Sequence, residues 1–184
     1  MSAFLGEYLS LPQLENEIAL TYWPYRYPLQ WSQGGKIPEF VANYLASIEA
    51  ERGSPASSDV KVTVSYLLNE LVENSVKFYL SGTIRIRVGM YEDEIVLVVI
   101  NQIATEQKPN LVHQFSELLK SDPEAIFIAR MEAVDGPSER GSSNIGLLSM
   151  IMDYQAKLGW NFVQVADNEK RFWMHTMVRV PYPN

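Results

Sequence analysis

Ser65-Tyr-Leu-Leu-Asn-Glu-Leu-Val-Glu-Asn-Ser-Val-Lys-Phe-Tyr79 sets a row of polar side chains along an otherwise apolar helical segment. Glu70 and Asn74 stand four residues apart and Lys77 three further on, so all three project from one helical face. Leu67, Leu68, Leu71 and Val76 are the expected core residues of the same helix. A helix anchored in this way holds a candidate base, a neutral oxygen for a hard cation and a phosphate-seeking charge at fixed separation, which is what a nucleotide–Mg²⁺ site needs. The alternative is an amphipathic surface helix with an ion pair between Glu73 and Lys77, the ordinary fate of charged rows on helices.

Downstream, Thr83-Ile-Arg-Ile-Arg-Val88 alternates strictly, Glu92-Asp93-Glu94 marks a turn, and Ile95-Val-Leu-Val-Val-Ile100 is continuously apolar. The pattern predicts two paired strands, the second covered on both faces. Gly141-Ser-Ser-Asn-Ile-Gly146-Leu-Leu148 reads as a glycine turn opening a helix from Ile145 to Ala156. Glycines there let the backbone approach a phosphate, and the first amides of the helix point at the anion. Such a turn alone is ordinarily a loop. Leu158 to Val165 and Arg171 to Val180 then read as two closing strands around a turn at Asp167-Asn168-Glu169-Lys170.

Glu70-x-x-x-Asn74-x-x-Lys77-Phe78 resembles the N box of the GHKL ATPases, the group containing gyrase, the histidine kinases and the anti-sigma-factor serine kinases. The Glu-first form is closer to the serine kinases, while Lys77-Phe78 matches a histidine-kinase habit. Asn101-Gln-Ile-Ala-Thr105 stands where the family carries Asp-x-Gly-x-Gly. The family's aspartate accepts the adenine N6 proton; an asparagine oxygen also accepts, without the charge that strengthens the bond. Gly141 to Gly146 falls in the place of the second glycine box. Asn69 to Phe78 together with Gly146 to Trp160 is also similar to a cyanobacterial-type branch of these ATP-binding regulators. The likeness spans residues 36 to 180 and rests on the order and spacing of the boxes.

The resemblance implies Mg²⁺ and ATP as cofactors and a protein serine/threonine kinase-like regulator of the anti-sigma-factor kinase type. Such a protein phosphorylates or sequesters a regulatory partner, either anti-anti-sigma-like or sigma-like. Glu70 is implied as the catalytic group that orients or deprotonates the partner hydroxyl, and Asn74 as the Mg²⁺ ligand. Asn74, Lys77, Phe78, Asn101, Gly141, Ser142, Ser143, Asn144, Gly146 and Leu147 are the implied nucleotide-binding residues. Helices bearing a phosphoacceptor histidine are missing from the sequence, which argues against a self-contained sensor histidine kinase. Self-association into a homodimer stays open. The other function class is a degenerate GHKL scaffold acting as a nucleotide-independent interaction module, for which the lost acid and glycines at Asn101 speak.

At 184 residues and 47% hydrophobic content, the chain suffices for one domain with a substantial core. It has no cysteine, so disulfides, thiolate metal sites and a cysteine nucleophile are excluded. His113 and His175 are too distant in sequence to argue for a metal site. No apolar run reaches membrane-spanning length and the N-terminus lacks a basic leader region, so a cytoplasmic protein with no membrane partner is expected. The formal net charge of -7 argues against nucleic acid as a partner. Arg85 and Arg87 alternate with Ile84 and Ile86, which predicts a solvent-side strand surface.

Residues 1–35 read as an N-terminal segment with an edge strand, and 36–184 as the GHKL-like domain. Residues 1–18 leave room for a short helix, because Leu5, Leu9, Leu11 and Leu14 settle into no single period. Ala19 to Trp23 reads as the strand and Pro24 to Pro28 as a rigid loop, an aromatic patch suited to edge packing or to a partner. After Gly34-Gly35, Pro38 opens a helix to Ala50 with Phe40, Val41, Tyr44, Leu45 and Ile48 on one side. A helical lid is expected over 102–140, with one helix after Asn110 and a second capped by Ser121-Asp122-Pro123, followed by a loop at Asp135 to Arg140. Leu111, Phe115, Leu118 and Leu119, then Ile126, Phe127, Ala129 and Met131, are its expected buried faces. The lid serves either to gate nucleotide exchange or to cover a sheet edge. The expected fold is α+β, a two-layer α/β sandwich. Its mixed, mainly antiparallel sheet is covered on one face by the helices beginning near 38, 60 and 145.

Overall fold

Glu92 takes the left-handed conformation, φ 54°, in a two-residue turn that pairs Tyr91 with Glu94. This turn closes the hairpin of β3 (Ile84–Tyr91) and β4 (Glu94–Ala104), as the alternating and apolar runs predict. The computed structural model describes residues 2–10, 13–24, 36–132, 145–166 and 168–183. Around the hairpin stand β1 (Ser2–Gly6), β2 (Glu15–Tyr22), α1 (Lys36–Glu51), α2 (Ser57–Lys77), α3 (Lys108–Lys120), α4 (Pro123–Glu132), α5 (Ile145–Tyr154), β5 (Lys157–Val165) and β6 (Asn168–Pro181). The strands form one sheet in the order β1-β5-β6-β4-β3-β2, and every neighbouring pair is antiparallel.

Alternation along β4 decides what each face carries. Ile95, Leu97, Val99 and Ile103 join a core with the apolar residues of α1, α2, α3 and α5. Val96, Val98 and Ile100 point the other way and meet Leu14 and Met177. The helices therefore lie on one face, the two-layer sandwich that the sequence predicts, and β4 is buried on both of its sides.

The second face is covered because β1 and β2 occupy opposite edges of the sheet, so the chain between them must cross it. This overturns the short helix expected within residues 1–18: Ser2–Gly6 is a strand paired with β5. Its leucines lack a common period because they serve different surfaces. Leu5 packs with the helical core, whereas Leu9 and Leu14 pack on the outer face.

Core assignments in four helices are corrected. In α1 the buried stripe is Pro38, Val41, Ala42, Leu45 and Glu49, so Phe40 and Tyr44 turn outward, 57% and 41% exposed. Glu49 is tolerated there because the Tyr182 hydroxyl donates to its carboxylate and Arg52 pairs with it at 3.3 Å. In α2 Ser75 takes the core position and Val76 rotates toward solvent. In α3 Leu111, Phe115 and Leu118 are buried but Leu119 is exposed. The backbone amide of Glu124 donates to Asp122 Oδ1 at 3.1 Å, confirming the expected start of α4, where Ile126 and Phe127 are half-buried and Ala129 is exposed. The side chain of Met131, the loops at 25–28, Gly34-Gly35 and 135–140, and Asp167 of the last turn lie outside the described residues. Among the described residues no helix is long and apolar enough to cross a membrane.

Candidate functional site

At roughly 100° per residue, Glu70, Asn74 and Lys77 fall within a narrow arc of α2, beside the stripe formed by Leu67, Leu68, Leu71 and Ser75. Position at the border of that stripe sets their exposure: Glu70 and Asn74 are half-buried and Lys77 is exposed. Lys77 Nζ lies 5.8 Å from the ring centroid of Phe78.

The Glu70 carboxylate is pressed against Gly146, the second residue of α5. A Cβ built on Gly146 would collide with Glu70 Oε2 and would stand 2.7 Å from its carboxyl carbon. With no side chain at that position, the first turn of α5 lies beside the carboxylate as it stands. Burial pushes the Glu70 carboxyl above the ordinary carboxylate range, and the nearby Glu73 adds to the shift.

Asn74 and Leu147 share a cavity wall. With Ser75, Phe78, Phe115, Trp160, Met174 and Thr176 they line a cavity of about 10 Å³, room for about one water molecule. Aromatic packing makes it small. The Phe115 ring of α3 stacks on Trp160 of β5 with centroids 4.1 Å apart and planes 8° off parallel. At the start of α3, Lys108 Nζ stands 4.0 Å from the Phe172 ring centroid.

Asn101 sits on the helical face of β4 between Val99 and Ile103 and pairs across the strands with Met174, a residue of the cavity wall. It is fully buried, and among the described residues neither its Oδ1 nor its Nδ2 has a hydrogen-bond partner. An orphaned buried amide is costly, of the order of 1–3 kcal/mol per unpaired group, and marks a place where a polar partner fits.

The sequence-derived residues therefore separate into groups. Glu70 meets Gly146, Asn74 lines one cavity with Leu147 and Phe78, and Asn101 borders the same wall through Met174. Lys77 projects to solvent beside them, and Gly141, Ser142, Ser143 and Asn144 lie outside the described residues. The sequence reading missed Ser75, Trp160, Met174 and Thr176 as cavity residues, and placed Phe115 only in a buried face. The one usable signal is the alternation Leu158, Trp160, Phe162, which points a large aromatic toward the helices. Among the described residues no three His, Asp or Glu side chains cluster as a metal site.

Neither a protein-family model nor a curated protein matches the sequence. The fold is similar to a chain in the crystal structure of the SiaB–SiaC complex from Pseudomonas aeruginosa, with a TM-score of 0.58 and 18% identity over 89% of each chain. At that identity the likeness concerns the fold alone, and it agrees with the sandwich described above.

Proposed function

We propose that this chain is a GHKL-type regulator that binds Mg·ATP between α2 and α5 and acts on a partner protein by phosphorylating or sequestering it. The observation that carries the reading is the close approach of Glu70 to Gly146, beside a cavity lined by Asn74 and Leu147, which brings the N-box helix to the end of the second glycine box. Several side chains have the chemistry such a ligand would use. Asn101 offers an acceptor and a donor with no partner among the described residues, the pattern of an adenine edge. The Gly146 backbone is open to close approach once Glu70 moves aside, and Lys77 is free to turn toward phosphates. Asn74 supplies one oxygen for Mg²⁺, an ion that takes few protein ligands and relies on phosphates for the others.

Bound Mg·ATP supplies a transferable γ-phosphoryl group. Glu70 would accept or orient the proton of a partner hydroxyl, and burial, which raises its pKa, makes it the stronger base. Phe115 stacked on Trp160 forms part of the wall beside Asn74. The fold likeness to a chain captured together with another protein supports a protein partner.

A second reading, a nucleotide-independent interaction module on the same fold, is favoured by the tight Phe115–Trp160 packing and by the missing acid at Asn101. Thermal unfolding with and without Mg·ATP separates the two. At ~100 times the dissociation constant, binding adds about 2.7 kcal/mol, and a domain of this size shifts by roughly 2–4 °C per kcal/mol. Neither a shift nor calorimetric heat at millimolar nucleotide would leave the interaction module as the function.

A further inference from the structure

Between β1 and β2 the chain spans five strand spacings of the outer face, about 24 Å at ~4.8 Å each. It leaves β1 at Gly6, φ 67°, and enters β2 near Asn16, φ 49°, so a left-handed residue stands at each end of the crossing. Two glycines let the crossing lie flush. A Cβ on Gly159 would stand 2.6 Å from Tyr8 Cα, and one on Gly89 would stand 2.8 Å from Leu14 Cβ.

The Tyr8 end is held largely by polar contacts. Glu7 N donates to Leu158 O at 2.9 Å, and the Glu7 carboxylate pairs with Arg179 at 3.0 Å, itself paired with Glu94 at 3.0 Å. Leu9 N reaches Met177 Sδ at 3.4 Å. Tyr8 Oη lies 3.0 Å from His175 Nδ1 and is also hydrogen-bonded by Asn161. Burial pushes the Tyr8 hydroxyl up, so it keeps its proton, and with the imidazole proton on Nε2 the hydroxyl donates to Nδ1.

We propose that this end is a proton-operated latch: a proton taken up at His175 releases Glu7, Tyr8 and Leu9 from the sheet and uncovers the apolar patch of Val98 and Met177. Protonation turns Nδ1 from acceptor into donor, and the Tyr8 proton loses its place. Among the described residues no carboxylate faces the ring. Tyr8 faces it from the crossing, neutral Asn161 from β5 and Ile100 from β4. Arg85 and Arg87 of β3 share the same face, Arg85 over Trp173 and Arg87 tied to Glu17 of β2, while on β6 itself Arg179 is engaged by Glu7 and Glu94. Burial first, and Arg85 second, hold His175 down at about 4 from its ordinary 6.5.

For a base held low in the closed state, closure is favoured above the free value and is lost as pH falls from there toward the held value. The open fraction should rise about tenfold per pH unit between about 6.5 and 4. The chain has no cysteine, so single-thiol reporters are unambiguous. Val98→Cys places a thiol under the crossing and Val99→Cys one in the helical core; each labelling rate with 4,4′-dithiodipyridine is divided by that of exposed Ser47→Cys at the same pH. The latch predicts that the position-98 rate climbs as pH falls while the position-99 rate stays low, and that His175→Gln, with circular dichroism confirming its fold, flattens the climb. A flat profile at 98, equal climbs at 98 and 99, or a climb that survives His175→Gln would each overturn it.

Discussion

The Glu70 carboxylate lies so close to Gly146 that a methyl group on the glycine would stand 2.7 Å from its carboxyl carbon. Gly146 has an ordinary backbone conformation inside α5, where Ala normally stabilises a helix by about 0.5–1 kcal/mol over Gly. The atoms in the way are the far end of the flexible Glu70 side chain, which must shift to admit a methyl group. Gly146→Ala should therefore gain less than that helical increment, and adding Glu70→Ala should restore it in full. Urea unfolding of the single and double variants measures the coupling.

Asn74→Ala removes the oxygen assigned to Mg²⁺, so nucleotide affinity should fall only in its Mg²⁺-dependent part. Glu70→Gln should still bind Mg·ATP yet lose transfer to the partner by on the order of 10²–10⁴-fold, the range for a positioned proton acceptor. Calorimetric titrations with Mg²⁺ and with EDTA, beside a phosphotransfer assay, read the two effects separately. Both variants matching wild type in the titrations would return this face of α2 to an ordinary solvated surface.

Phe115→Ala should cost about 3–5 kcal/mol in chemical unfolding, because it removes a ring stacked at 4.1 Å on a fully buried Trp160. The same variant enlarges the cavity beside Asn74. If the lid helix restricts nucleotide entry, binding should quicken while stability falls, which stopped-flow fluorescence would detect.

The parts of the fold legible in the sequence are those whose period is set by a single surface. Ile84, Ile86 and Val88 alternate because only one face of β3 packs against the helices, and α2 shows its stripe for the same reason. The N-terminal crossing was not legible. Leu5, Leu9 and Leu14 pack against different surfaces of the sheet, and the glycines that seat the chain, Gly89 and Gly159, lie far away in sequence. For the site, helical spacing alone places Glu70 and Asn74 together, but their apposition to Gly146 and Leu147 depends on how α5 docks. Phe115 and Trp160 read only as core, since nothing in a one-dimensional pattern shows that two aromatic rings will fill one cavity.

The pH dependence of Glu70 tests whether this carboxylate is held for stability or for function. Burial and Glu73 raise its pKa above the ordinary 4.5, so the fold favours the protonated acid. Its contribution is fully present below the unfolded value and is lost as pH rises through the folded one. Glu70→Gln, which mimics the neutral acid, should match wild type at low pH and become the more stable protein as pH rises above the carboxylate range. Denaturant unfolding of both proteins from acid to neutral pH gives the difference curve. Were Glu70 instead an anion stabilised by the first turn of α5, the curve would have the opposite sign and Gln would destabilise at neutral pH. A gain for Gln would mean that the chain keeps a carboxylate its fold disfavours, the signature of a group retained for chemistry or binding.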